Sequence, residues 1–167
     1  MDESRDCFEK IKILDLLASY TLTLDGRDAD GWAKCFTEDG VFSQGGKIIR
    51  GRDNLCAYAE VHGRTLGSRH ITSSPCYRID EAGTRATGRA TTVVTVATPS
   101  GYKIAMTGLY EDELKKVGDD WLIARRVVSV EGLPNDPGFS MLATDPQVAA
   151  LVQPLLDAWQ RLSEETA

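Results

Sequence analysis

The chain is poor in the residues that mark metal, redox and nucleic-acid chemistry. It has two histidines, His62 and His70, and four scattered cysteines, Cys7, Cys35, Cys56 and Cys76. No CxxC pair and no close His/Cys spacing occur. That argues against a metal site and for reduced thiols used as small buried hydrophobes. No apolar run approaches the roughly 20 residues a membrane helix needs. The stretch MDESRDCFEK lacks a basic n-region and an apolar h-region, so a cytoplasmic protein is expected. Acidic side chains outnumber basic ones, 25 to 19, for a net charge of −6. The pairs Lys115-Lys116 and Arg125-Arg126 are short and flanked by acids, so no nucleic-acid partner is expected. GxGxxG, P-loop and GxSxG sequences are absent, so no nucleotide, no flavin and no serine-hydrolase chemistry is expected.

What remains is an ordinary globular composition, 42% hydrophobic and 26% charged, in 167 residues. That length suits one domain. Residues 6 to 24 space Phe8, Ile11, Leu14, Leu17, Ala18 and Leu22 along one helical face. Gly26 ends that helix. Asp28 or Asp30 caps a short second helix with Trp32, Cys35 and Phe36 on its apolar side. Residues 37 to 40 read as a turn, and Val41 begins a strand. Gly45-Gly46 reads as a hairpin turn into Lys47-Ile48-Ile49. A third helix follows Gly51, with Asp53 as a possible cap and Leu55, Tyr58, Ala59 and His62 at helical spacing. From His70 the period becomes two. Four long strands follow, over residues 70–79, 85–98, 102–116 and 121–130, with Pro75 bending the first or keeping it at an edge. An extended loop is expected over 131–144. Asp145-Pro146 then opens a final helix with an apolar stripe of Val148, Leu151, Val152, Leu155, Trp159 and Leu162. That helix must cover the sheet's mouth or another subunit. The fold class is α+β, with one curved antiparallel sheet wrapped around N-terminal helices. The expected division is a cone domain over 1–131 and a C-terminal loop and helix over 132–167.

Four phrases carry a resemblance: LDLLASYTLTLDGRDADGWAKCFTEDGVF (14–42), IIRGRDNLCAY (48–58), SRHITSSPCYRID (68–80) and GLYEDELKKVGDDWLIARRVV (108–128). Together they resemble the nuclear-transport-factor-2-like superfamily, in its SnoaL-like polyketide-cyclase, dehydratase and dehydrochlorinase branch. The resemblance covers about residues 6 to 131. It implies a cone enclosing an apolar pocket, no cofactor, and assembly as a homodimer or homotrimer. It also implies a small, apolar, ring-containing substrate such as a steroid, polyketide or terpenoid. The superfamily includes non-catalytic members, so fold alone leaves function open.

Asp25, read alone, is a helix-end carboxylate, and His70 a histidine at a strand start. The resemblance places both in the cone as a catalytic dyad. Imidazole titrates near neutrality, and a carboxylate on one ring nitrogen fixes the tautomer and stabilises the imidazolium. Tyr20 lies about 140° from Asp25 on the helical wheel. The resemblance nevertheless pairs a tyrosine at this spacing with the aspartate, as a hydrogen-bond donor to a leaving hydroxyl or an enolate oxygen. Trp32, Phe36, Phe42, Tyr58 and Met106 are candidate pocket walls or simple core. Strand alternation places Thr72, Ser74 and Cys76 on the His70 face unless a bulge intervenes. Arg125 and Arg126 point to opposite faces; one of them enters the pocket, and Arg125 is counted with the substrate-binding set. His62 reads as a surface or structural residue, and Glu111-Asp112-Glu113 as a solvated strand end. The expected activity is a cofactor-independent lyase or isomerase, in first place a dehydratase. A polyketide cyclase and a non-catalytic binding module are the alternatives.

Overall fold

The computed structural model describes residues 3–131 and 145–165. Helices α1 (Glu3–Asp25) and α2 (Ala29–Lys34) come first, then β1 (Phe36–Gln44), β2 (Lys47–Arg50) and α3 (Arg52–Thr65). Strands β3 (Ser68–Ile79), β4 (Arg85–Thr98), β5 (Gly101–Val117) and β6 (Asp120–Val130) follow. Helix α4 (Pro146–Glu165) closes the described chain. The loop expected over 131–144 lies, beyond Glu131, outside the described residues. The fold is α+β: six strands in the order β2-β1-β6-β5-β4-β3 form one curved sheet over the helices. Neighbours are antiparallel except β1 and β6, which run parallel.

The α1 face differs from the one expected. Ile13, Leu16, Leu17, Tyr20 and Leu24 are buried, whereas Phe8, Ile11, Leu14 and Leu22 are exposed. The helix carries two apolar stripes, and Glu9 decides between them. Glu9 is buried, accepting from Lys116 Nζ at 2.5 Å and Trp121 Nε1 at 2.8 Å. Those bonds offset the cost of burying its charge and turn that side of the helix to the sheet.

The expected turn at 37–40 belongs instead to β1, whose register against β6 shifts between Phe36 and Val41. Asp28 caps α2, accepting from the Gly31 amide at 2.9 Å. Asp53 caps nothing: Gly51, at φ 84°, opens α3 without a side-chain cap. Cys35 is buried as expected, but Cys7 and Cys76 are exposed. No helix among the described residues is long and apolar enough to cross a membrane.

Strand β3 lies at the sheet edge and is bulged. Its register against β4 shifts between Ser73 and Cys76, with Ser74 in the left-handed region at φ 51°. The extra residue flips the following side chains. Tyr77 therefore turns inward and is buried, while Ser74 and Cys76 turn outward. Gly88 pairs with Tyr77, and a Cβ there would lie 2.4 Å from the Cys76 carbonyl and 2.4 Å from the Tyr77 ring. Gly88→Ala is therefore expected to cost about 1–3 kcal/mol, measured as a lower midpoint in urea unfolding.

Candidate active site

Helix α1 ends and β3 begins at the same place. Asp25 Oδ1 lies 2.6 Å from His70 Nδ1, and Asp25 Oδ2 accepts from the His70 backbone N–H at 2.7 Å. Ser68 Oγ donates to Asp25 Oδ1 at 3.1 Å. Both members of the pair have side chains only 9% exposed. Burial acts to raise the Asp25 pKa, but the bonds from His70 and Ser68 outweigh it and hold the carboxyl below its usual value. An ionised Asp25 accepts, so His70 carries a proton on Nδ1, and in the neutral ring Nε2 is the nitrogen with the free lone pair. His70 Nε2 has no protein partner among the described residues.

His70 lines a cavity of about 300 Å³ inside the curved sheet. The walls are mostly aliphatic, with Leu24, Leu66, Val94, Val96, Ala105 and Val128 prominent. Helix α4 packs over this chain's own cavity, contributing Val152, Leu155, Leu156 and Trp159. Asp145 caps that helix, accepting from the Gln147 and Val148 amides at 2.9 and 3.2 Å.

Of the expected lining residues, Tyr20, Phe42, Tyr58 and Met106 face the cavity. Trp32 and Phe36 do not: they form the layer beneath, with Trp32 edge-on to Phe42 at 5.6 Å and tilted against Tyr58 at 5.8 Å. Thr72 is covered by α1, its hydroxyl 3.5 Å from that of Thr21. The bulge carries Ser74 and Cys76 outside. Arg125 is also corrected: it points outward, 3.6 Å from Glu113.

The inward arginine is Arg126, fully buried and committed elsewhere. It donates from Nε and Nη2 to the two oxygens of Asp112, each at 2.7 Å. Tyr77 donates to the same carboxylate at 2.5 Å. The guanidinium lies between the rings of Tyr20 and Tyr110, 4.1 and 4.2 Å from their centroids. So Asp112 is no solvated strand end. It is a buried acid beneath the pocket floor, and Arg126 braces Tyr20 and Tyr110 from behind. Burial pushes the pKa values of Tyr20, Tyr58 and Tyr110 up, so each remains a neutral hydroxyl.

His62, read from the sequence as a surface or structural residue, is buried. It lines the cavity on α3, its ring 5.7 Å from that of His70. Its Nε2 lies 3.4 Å from Ser68 Oγ. Since Ser68 donates to Asp25, His62 must donate to Ser68. A hydrogen-bonded chain thus runs from His70 through Asp25 and Ser68 to His62. Burial, with some help from His70, lowers the His62 pKa from 6.5 to about 4. A base with a depressed folded pKa loses stability as pH falls, because the unfolded chain takes the proton first. Unfolding free energy is therefore expected to drop as pH falls from 6.5 toward about 4. Urea titrations should show a shallower drop in His62→Gln.

Residues 9–127 match the family model described as a SnoaL-like domain. The chain belongs to the SnoaL-like family. Among solved structures, a single-residue variant of Rv3472 from Mycobacterium tuberculosis, a protein of unknown function, is 42% identical with a TM-score of 0.93. That match covers 97% of this chain and 95% of the other. A candidate scytalone dehydratase from Novosphingobium aromaticivorans is 24% identical, TM-score 0.68, over 75% of this SnoaL-like chain and 85% of the other. An NTF2-like protein with a cystatin-like fold from the same organism is 20% identical, TM-score 0.70, over 89% and 92%. These last two similarities show the fold alone. No curated protein matches the chain. Among the described residues of this family member, no group of three or more His, Cys, Asp or Glu side chains is arranged to hold a metal ion.

Proposed function

We propose that the protein is a cofactor-independent lyase of the dehydratase type, with His70 as the general base. The observation that carries this reading is the 2.6 Å contact of Asp25 with His70 Nδ1 at the wall of an apolar cavity. In the proposed step, His70 Nε2 removes the proton from a carbon next to a carbonyl. The C–H electron pair becomes the new carbon–carbon double bond, and the β-hydroxyl departs. The imidazolium returns its proton to that hydroxyl, which leaves as water. Asp25, kept ionised, stabilises the imidazolium between the two transfers. The apolar walls strengthen that pairing by excluding water.

Tyr20 is proposed as the donor to the carbonyl or leaving oxygen, because it lines the cavity and keeps its proton. Tyr58 and Tyr110 share both properties, so the three Phe variants separate them. Tyr20→Phe is expected to lower kcat about 10²–10³-fold, with the other two nearer wild type. The substrate class is a compact ring ketone with a β-hydroxyl group.

The test is turnover of β-hydroxy ketones of steroid and aromatic polyketide type, followed by the ultraviolet absorbance of the conjugated enone. Enone formation by the wild type, lost in His70→Ala, is expected. Equal turnover by His70→Ala would remove His70 as the base, and tight binding of every ketone without turnover would replace this reading with that of a binding module.

A further inference from the structure

The chain is acidic overall, with a net charge of −6, yet its cavity is not. No aspartate or glutamate lines it among the described residues, and the ionisable side chains facing it, tyrosines apart, are His62, His70 and Lys47. The other half-buried lysines all have a hydrogen-bond partner: Lys12 donates to the Asp119 backbone carbonyl at 2.9 Å. Lys103 meets Asp145, and Lys116 meets Glu9 at 2.5 Å. Lys47 has no carboxylate partner among the described residues. A part-buried ammonium beside apolar walls loses hydration, and an anion in the cavity would offset that loss most strongly.

Its position is fixed by the backbone. Gln44 and Lys47 are paired across a two-residue turn formed by Gly45 and Gly46, at φ 58° and 79°. Both turn residues take the left-handed conformation, which glycine adopts without strain and which matches the twist of the flanking strands. Gln44 lines the cavity beside Lys47. Strand β2 is one edge of the sheet and β3, with His70, is the other. The curvature brings both edges onto one cavity, so His70 with Asp25 reaches it from one edge of the sheet and Lys47, an unpaired cation, from the other.

We infer that this cavity takes an apolar ring compound bearing an oxyanion, a carboxylate or sulfonate, that pairs with Lys47 while the reacting carbon lies against His70. For the reacting end, this rests on the proposed role of His70. The anion-binding end stands on Lys47 alone. A charge-assisted hydrogen bond to a part-buried ammonium gives orientation as well as affinity. A ring acid can then enter in only one direction, with the carbon remote from its anionic group at the dyad.

The test uses two dyes with the same frame, N-phenyl-1-naphthylamine and its sulfonated form, 8-anilinonaphthalene-1-sulfonate. Each is titrated by fluorescence at about pH 8, where an ordinary imidazole is neutral. The wild type is expected to bind the sulfonate roughly tenfold tighter than the neutral frame, less so at high salt. Lys47→Met should abolish that preference and leave the neutral dye's affinity unchanged. His70→Gln should keep it. A preference that survives in Lys47→Met overturns the inference, as does one lost in His70→Gln, since the anion would then sit at the dyad. Neither dye reacts. A preference lost in Lys47→Met alongside absent ketone turnover would uphold the anion site and remove the catalytic reading.

Discussion

Asp25→Asn is expected to lower kcat for the proposed elimination by about 10³–10⁴-fold with little change in KM. The asparagine amide can still receive the His70 backbone N–H through its oxygen. It places a neutral group, or an N–H donor, against Nδ1. The ring then loses the anion that stabilises its charged form. If the amide donates, the ring proton moves to Nε2, and the atom facing the substrate is no longer a base. His70→Ala should cost at least as much, and the double variant no more than the larger single effect, because the two side chains act as one unit. Steady-state kinetics of the three variants on one β-hydroxy ketone check this. Fully additive losses would mean that the two groups act independently.

The second large effect is on stability. Arg126→Met is expected to destabilise the fold by about 3–5 kcal/mol, a fall in Tm on the order of 10 °C for a chain of this size. The reason is what remains behind. Asp112 would be buried with only Tyr77 to bond it, and burial penalises an unpaired carboxylate heavily. The flanking rings of Tyr20 and Tyr110 would also lose the cation between them. Replacing both partners, as Asp112→Leu with Arg126→Met, should recover much of the loss. Thermal unfolding of the single and double variants decides the matter. A single variant as stable as wild type would mean that the pair contributes nothing to the fold. Because Tyr20 and Tyr110 line the cavity, the same variants should also weaken ligand binding.

Most strands and turns were legible because their signals are local, although residues 37–40, read as a turn, belong to β1. Period-two alternation marked β3 to β6 within a residue or two, and Gly45-Gly46 marked the hairpin. The stripe from Val148 to Leu162 marked α4, and only the three-dimensional packing shows that it covers its own cavity. Long-range choices were not legible. Helix α1 has two apolar stripes, and the buried one is selected by Glu9 meeting Lys116 and Trp121, more than a hundred residues away. Asp112 sits in an acidic run that reads as solvated. Its alternation with Tyr110 and Leu114 was the available sign that it faces inward, and Arg126 is its register partner. The bulge at Ser74 broke the face expected to carry Thr72, Ser74 and Cys76 together.

In the site, Asp25 and His70 stood out through family resemblance rather than spacing, since a helix-end aspartate and a strand-start histidine are common in any fold. His62 could have been found. It follows Leu55, Tyr58 and Ala59 at helical spacing, which puts it on the buried face of α3. Lys47 had no mark beyond its place after a glycine turn.

The central claim is that Asp25 holds His70 with its proton on Nδ1 and a free base on Nε2. Nitrogen-15 NMR of the imidazole ring, recorded above its titration range, reads the tautomer directly and needs no substrate. Free imidazole side chains favour the opposite tautomer, so the result is discriminating. Wild-type protein should show His70 protonated on Nδ1 and Asp25→Ala should revert to Nε2. His70 protonated on Nε2 in the wild type would contradict the account.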